Sequence, residues 1–246
     1  MALELLSSAW PVIRFAEIDS TNEEARRRAA AGDTGPCWLV TEAQTAGRGR
    51  LGRQWSSPPG NLFATALLPY PRPAAEATVV PFAAGLAVID AARACGVDPA
   101  TLKLKWPNDV LAGGAKLSGI LIETGLLHGK LWMAAGFGVN IEVAPERADR
   151  PTSCLCGLPG GQGLTAPRLL AALDLAFRAR LYSLLNEGFA RVRADWLAHA
   201  AYIGQTIEVN GLKGEMIGLA DDGALILRLE DGIEAHVRAG EISLLS

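Results

Sequence analysis

Apolar and polar positions change period several times along the chain, and each change marks an element. Residues 10–18, with Trp10, Val12, Ile13 and Phe15, read as a strand. Asp19-Ser20-Thr21-Asn22-Glu23-Glu24 then opens a helix that runs through Ala25–Ala31 and stops at Gly32. Ser20 with Glu23, or Thr21 with Glu24, makes a capping box. Residues 37–43 and 61–68 read as strands on either side of a glycine- and arginine-rich loop, and Pro69–Ala75 is a proline-rich connection. Val79, Phe82, Leu86, Val88, Ile89 and Ala92 recur at helical spacing over 79–95, up to Gly96. Leu102–Trp106 alternates like a strand, and Pro107-Asn108-Asp109 breaks it. Lys116–Thr124 is a strand, Leu126–Lys130 turns it, and Leu131–Ile141 returns as its hairpin partner. Residues 143–163 read as a polar loop, either mobile or acting as a lid. Helices follow over 166–187 and 189–199, with Thr165 and Pro167 at the start.

From Ile203 the pattern shortens. Alternating strands are separated by Asn210-Gly211, Asp221-Asp222-Gly223 and Asp231-Gly232, all hairpin-turn sequences. About five strands in ~44 residues predict a small SH3-like β-barrel. The rest mixes strands, hairpins and helices, which predicts an α+β fold with a mixed sheet packed against helices rather than a doubly wound one. The expected division is 1–200 for the larger domain and 201–246 for the barrel.

The chain's 246 residues and 50% hydrophobic content suffice for one sizeable core. A net charge of −3 argues against a general nucleic-acid or membrane-surface binder. Cys37, Cys95, Cys154 and Cys156 do not form a zinc pattern with the scattered His128, His199 and His236, so reduced thiols in a cytoplasmic protein are expected. No signal peptide and no run of about 18 apolar residues is read from the sequence, so no membrane span is expected.

Candidate chemistry centres on Gln44-Thr45-Ala46-Gly47-Arg48-Gly49-Arg50-Leu51-Gly52-Arg53-Gln54-Trp55, where three glycines alternate with three arginines. Glycine lets backbone turn tightly and approach a ligand, and arginine supplies forked donors for carboxylate or phosphate. The Gly47-x-Gly49-x-x-Gly52 spacing imitates a dinucleotide fingerprint, but Ser56-Ser57-Pro58-Pro59-Gly60 cannot open the helix that fingerprint requires. Three further spots join it. Lys105-Trp106-Pro107-Asn108-Asp109 is either a self-bonded turn or a presented polar pair. Lys116 opens an otherwise apolar strand beside Gly119, so it is either exposed at the strand end or paired with an anion. Gly136 and Gly138 before Asn140 mark either a bulge or backbone approached by a ligand or another chain. The residues alone thus describe an anion-handling pocket that works by positioning and charge neutralisation.

In this order, Asp19-Ser20-Thr21-Asn22, the Gly47–Trp55 loop, Lys105–Asp109, Lys116-Leu117-x-Gly119, Gly136-x-Gly138-x-Asn140 and the closing Gly240-Glu241-Ile242-Ser243-Leu244 resemble the biotin protein ligase family. The resemblance implies activation of biotin by Mg-ATP as biotinyl-5′-AMP, then transfer to one lysine of a biotin carboxyl carrier protein domain. It implies a biotin set of Ser20, Thr21, Asn22, Gln44, Gly47, Arg48, Gly49, Arg50, Lys116 and Gly119. It implies a nucleotide set of Arg50, Arg53, Trp55, Asn108, Lys116 and Asn140, with Lys116, Arg50 and Asp109 in the chemistry and Asp109 toward Mg²⁺. Biotin and ATP are substrates, and no permanently bound cofactor is implied.

The first motif begins at Asp19, so the short form without an N-terminal helix-turn-helix is expected, and with it no direct DNA binding. Residues 142–153 hold no aromatic where some family members cover adenine, and Leu245 stands where some carry an arginine. A homodimer through a sheet edge stays open. So do two rival functions, a lipoate or octanoate ligase or transferase and a non-catalytic biotin-binding sensor.

Overall fold

The computed structural model describes residues 6–148 and 150–244. Seven strands form one mixed sheet: β1 (Val12–Ile18), β2 (Cys37–Gln44), β3 (Leu62–Pro69), β4 (Leu102–Lys105), β5 (Asp109–Ala112), β6 (Ala115–Leu127) and β7 (Lys130–Val139). Their spatial order is β1-β2-β3-β7-β6-β5-β4. Only the β1–β2 pair is parallel; the others are antiparallel. Helix α1 (Thr21–Ala30) makes the crossover between β1 and β2 and packs on β2, β3 and β7. Helices α2 (Val80–Ala94), α3 (Ala166–Glu187) and α4 (Phe189–Ala198) pack together, with α2 against β6 and α3 against β3.

Alternation along β2 explains the layering. Cys37 and Leu39 join the small core with Ala25 and Ala29 of α1, while Trp38 and Val40 join the large core with Phe137 and Phe177. A strand covered on both faces reads as a continuous apolar run, as Cys-Trp-Leu-Val does. Ala74–Ala94 is long and apolar enough to cross a bilayer, contrary to the sequence expectation, but 67% of its most apolar window is buried as core. α1 ends as predicted: Gly32 takes φ +98°, and the Gly32 and Asp33 amides return to the Ala29 and Arg28 carbonyls at 3.1 and 3.0 Å.

One expectation is corrected, one strand is added and one loop is tied down in part. The capping box does not form: Ser20 is the N-cap but makes no side-chain cap bond, and Glu23 and Glu24 pair with arginines instead. The Thr21 amide is satisfied over a long range, by Gln44 Oε1 at 2.9 Å. Strand β5 was hidden by its four-residue length between the Pro107 turn and Gly113-Gly114. The 143–163 loop is fastened along part of its length, since backbone bonds join Pro151 and Ser153 to Lys116, Leu155 to Asn140 and Cys156 to Ile141.

Strands β8 (Thr206–Val209), β9 (Leu212–Leu219), β10 (Leu225–Arg228), β11 (Glu234–Val237) and β12 (Ser243–Leu244) form a second, antiparallel SH3-like sheet in the order β11-β10-β9-β8-β12. The predicted turns appear where expected, with Asn210 and Gly211 at φ +52° and +81°. This sheet shares the main core. Trp106 Nε1 donates to the Gly223 carbonyl at 3.1 Å, and a Cβ on Gly223 would stand 2.8 Å from the Phe82 ring. Leu104 bonds to the backbone of His199 and Ala201, which covers the β4 edge. The Leu245 position lies outside the described residues.

Candidate active site

One cavity gathers the predicted residues. It lies over the middle of the sheet, and its lining includes Ser20, Thr21, Asn22, Gln44, Arg48, Gly49, Arg50, Arg53, Trp55, Asn108, Asp109, Lys116, Gly119 and Asn140. Gly47 does not line it. A Cβ there would stand 2.5 Å from the Trp55 carbonyl and 3.0 Å from Gln44 Nε2, so this glycine lets the loop close on itself. The loop's glycines serve different ends. Among the three, Gly52 takes the left-handed region at φ +72°, and Gly49 is extended. The loop folds back through Gly49–Arg53 and Trp55–Gly47 backbone bonds of 2.7 and 2.9 Å, with Leu51 exposed at its tip.

The two glycines of β7 make neither a bulge nor an opening. Pairing along β7 is regular on both sides. A Cβ on Gly136 would lie 2.1 Å from Asn22 Oδ1, and one on Gly138 would lie 2.4 Å from the Trp55 indole. Gly119 is the cross-strand partner of Gly138, and its Cβ would stand 2.8 Å from the same indole. Two facing glycines thus form a flat spot on which Trp55 lies, with Lys116 Nζ 5.5 Å from the ring centroid. The buried Trp55 Nε1 has no hydrogen-bond partner, and neither has Asn140 Oδ1.

One half of the lining is neutral. Thr21, at the start of α1, bonds to Gln44, and Asn22 reaches across to Glu123 at 2.8 Å. Ser20, Thr21 and Asn22 are all buried. The other half is charged. Lys116 pairs with Asp109 at 2.7 Å, which decides the sequence alternatives for this lysine in favour of an anion partner. Asn108 is not a self-bonded turn residue: it accepts from Arg50 Nη1 at 3.0 Å and donates to the Ile120 carbonyl at 2.6 Å.

Glu241, from the segment between β11 and β12, pairs with Arg53 and, at 2.8 Å, with Arg150. Burial pushes the Glu241 carboxyl up, but the hydrogen bond from Arg53 and the charges of Arg150, Arg53 and Lys105 outweigh it and hold it below its ordinary value. Burial holds Lys105 and Arg50 below theirs.

Among the described residues, seven basic side chains line the cavity (Arg48, Arg50, Arg53, Lys105, Lys116, Arg147 and Arg150) against the carboxylates of Asp109 and Glu241. On a chain of net charge −3, this concentration marks a site for a multiply charged anion. Sequence reading passed over the cavity roles of Lys105, Arg147, Arg150 and Glu241. Lys105 and Glu241 lay inside quoted motifs, whereas Arg147 and Arg150 stand in a loop with no motif.

Comparison with known proteins agrees with this geometry. The profile described as the Biotin/lipoate A/B protein ligase family matches residues 15–140, and that of the biotin protein ligase C terminal domain matches 202–245. A biotin--[acetyl-CoA-carboxylase] ligase of Paracoccus denitrificans is 40% identical over 228 residues, covering 87% of this chain and 92% of that protein. A protein of the same name from Mycobacterium tuberculosis is 35% identical, covering 92% and 86%. Among solved structures, a biotin protein ligase from Aquifex aeolicus in complex with biotin and ATP superposes with a TM-score of 0.77 at 27% identity. That match covers 95% of this chain and 97% of that one.

Proposed function

Because this chain belongs to the biotin/lipoate A/B protein ligase family, we propose that it activates biotin with ATP and transfers it to one lysine of a biotin carboxyl carrier domain. In the first step a biotin carboxylate oxygen bonds to the α-phosphorus of ATP and the bond to pyrophosphate breaks, giving biotinyl-5′-AMP. In the second, a carrier lysine amine attacks the acyl carbon, AMP leaves and the amine gives up its proton. Neither step needs a protein nucleophile. Both need two anions held together and the charge of the leaving phosphate neutralised.

The observation that carries this reading is the two-part lining. The buried Ser20, Thr21 and Asn22 with the half-buried Gln44 offer a neutral hydrogen-bonding pocket suited to a cyclic urea, with Arg48, Gly49 and Gly119 on its walls. Arg50, Arg53, Lys105 and Arg150 offer the charge a triphosphate needs. Lys116 stands beside the indole of Trp55, where carboxylate and α-phosphate would meet, and neutralises first one and then the other. Asn108 holds Arg50 in place. Asn140 Oδ1, buried and without a partner, suits a ligand amino group such as that of adenine, and this would serve where no aromatic covers the base.

The described residues contain no group of three or more potential metal ligands. A single carboxylate, Asp109, fits Mg²⁺ that arrives on the nucleotide phosphates with most of its waters, and such an ion would supply further charge neutralisation. Residues 1–200 then hold the chemistry, and 201–246 act as a buttress that supplies Glu241.

The test is biotin-dependent exchange of labelled pyrophosphate into ATP by the purified protein. Exchange with biotin and not with lipoate is expected. Exchange with lipoate would move the protein to the lipoate branch, and binding of biotin without exchange would make it a sensor.

A further inference from the structure

Two residues behind the neutral pocket, the buried Thr65 and the half-buried Glu123, belong to none of the motifs given a role above, yet they join its polar side chains into one chain of hydrogen bonds. Asn22 Nδ2 donates to the Glu123 carboxylate at 2.8 Å and to the Leu121 carbonyl at 3.3 Å. Both partners are acceptors, so the Asn22 amide has one orientation, with Oδ1 toward Thr65. Thr65 is fully buried, and its hydroxyl lies 2.7 Å from that oxygen. A carbonyl oxygen only accepts, so the one hydroxyl proton of Thr65 goes there. Thr65 Oγ1 is also 2.8 Å from Thr21 Oγ1. With its own proton spent, Thr65 accepts at this contact and Thr21 donates. The alternative partner for the Thr21 proton, Gln44 Oε1 at 3.3 Å, also lies inside the protein. Gln44 is fixed in the same manner: its Oε1 takes the Thr21 amide at 2.9 Å, so Nε2 faces Ser57 at 3.0 Å and keeps a second N–H.

We infer that Thr65 and Glu123 are positioning residues that set the hydrogen-bond polarity of the biotin pocket at Thr21, leaving it an acceptor toward the ligand beside Gln44, which the Thr21 amide leaves a donor. This rests on the ligase reading and deepens it into a rule of specificity. A cyclic urea presents N–H donors beside a carbonyl acceptor, which suits that pair. A cyclic carbamate, with a ring oxygen in place of one ureido N–H, would set two acceptors face to face at Thr21. A pocket built to accept an N–H discriminates strongly against an analogue that lacks it, because its own polar group is left unpaired.

The experiment measures binding of biotin and of its two cyclic carbamate isomers, without ATP, to wild type, Thr65→Val and Thr65→Ser. Wild type should prefer biotin over one isomer by at least about tenfold. Thr65→Val removes the nearer acceptor of the Thr21 proton, at 2.8 Å against 3.3 Å for Gln44 Oε1, so that the proton can turn to the ligand and the preference should shrink by about tenfold. Thr65→Ser should keep it. In turnover, the KM for biotin should rise in Thr65→Val with the KM for ATP unchanged.

A folded Thr65→Val with the wild-type preference overturns the inference, as does a wild type that binds biotin with no preference over either carbamate. If circular dichroism shows Thr65→Val unfolded, Thr65→Ala is read by the same criterion. A folded wild type that binds no biotin at all defeats the ligase reading itself, which separates the two failures.

Discussion

The two halves of the cavity are prepared for their ligands by opposite means. The neutral half is held by hydrogen bonds that run from α1 through Gln44 and Thr65, with the carboxylate of Glu123 at the far end behind Asn22, on α1 and the strands it packs against. The charged half is held by ion pairs, Lys116 with Asp109 and Glu241 with Arg53 and Arg150, on strand ends and loops. Neutral groups can be fully desolvated once they are bonded, and such a network is rigid and directional. Charges in a cleft need counter-ions at all times, so the protein itself supplies the carboxylates of Asp109 and Glu241. The first half can select a ligand by its donors and acceptors. The second is adapted to exchange one set of anions for another.

The strongest break of this contrast is Lys116→Ala. Adenylate formation should fall by about 10²–10³-fold in pyrophosphate exchange, while biotin binding by calorimetry changes far less. Equal losses in both would mean the halves are not separable. Next is Gly136→Ala on the neutral side. Its Cβ would meet Asn22 Oδ1, which is fixed by Thr65 and Glu123 and cannot yield cheaply. A loss of about 1–3 kcal/mol of stability is expected in denaturant titration, with biotin affinity falling and ATP affinity kept.

Arg50→Gly removes the guanidinium that Asn108 holds at the charged half. Free biotinyl-AMP should then accumulate in solution, measured by chromatography after a single turnover; an unchanged level would show that Arg50 does not help retain the intermediate.

The smallest effect concerns protons. Burial holds the folded-state pKa of Lys105 below the ordinary 10.5, so as pH rises the folded chain loses this proton before the unfolded chain does. The buried charge weighs against the fold below the lowered pKa, and stability is regained as pH rises through the window up to 10.5. Triphosphate beside Lys105 favours the charged form, so ATP binding in that window should take up protons. Calorimetry in buffers of different ionisation enthalpy reads this, and Lys105→Arg should abolish the uptake.

Much of this molecule was legible beforehand because its signals are local. Gly32 and Gly96 ended helices, Asn210-Gly211 turned a hairpin, and the 79–95 periodicity was a core helix, since each depends on a few neighbouring residues and the backbone geometry they permit. What misled was also local. Ser20 with Glu23 has the letters of a capping box, yet Gln44, 24 residues further on, satisfies the helix end and Glu23 is drawn to arginines. Gly136 and Gly138 announced a close approach correctly, but what approaches is this chain's own Asn22 and Trp55.

Most elements and the α+β class with its barrel can be read from the chain alone, because each rests on local periodicity and turn chemistry. How the charged and polar residues meet is set by the folded arrangement. It placed Glu241 between Arg53 and Arg150, laid Trp55 on two facing glycines, and gave Thr65 and Glu123 a place behind the pocket. Propensities and turns act over a few residues and are written in order along the chain. Counter-ions and hydrogen-bond partners are chosen by proximity in space, and packing of a helix on a sheet brings together residues about 100 positions apart, as with Asn22 of α1 and Glu123 of β6.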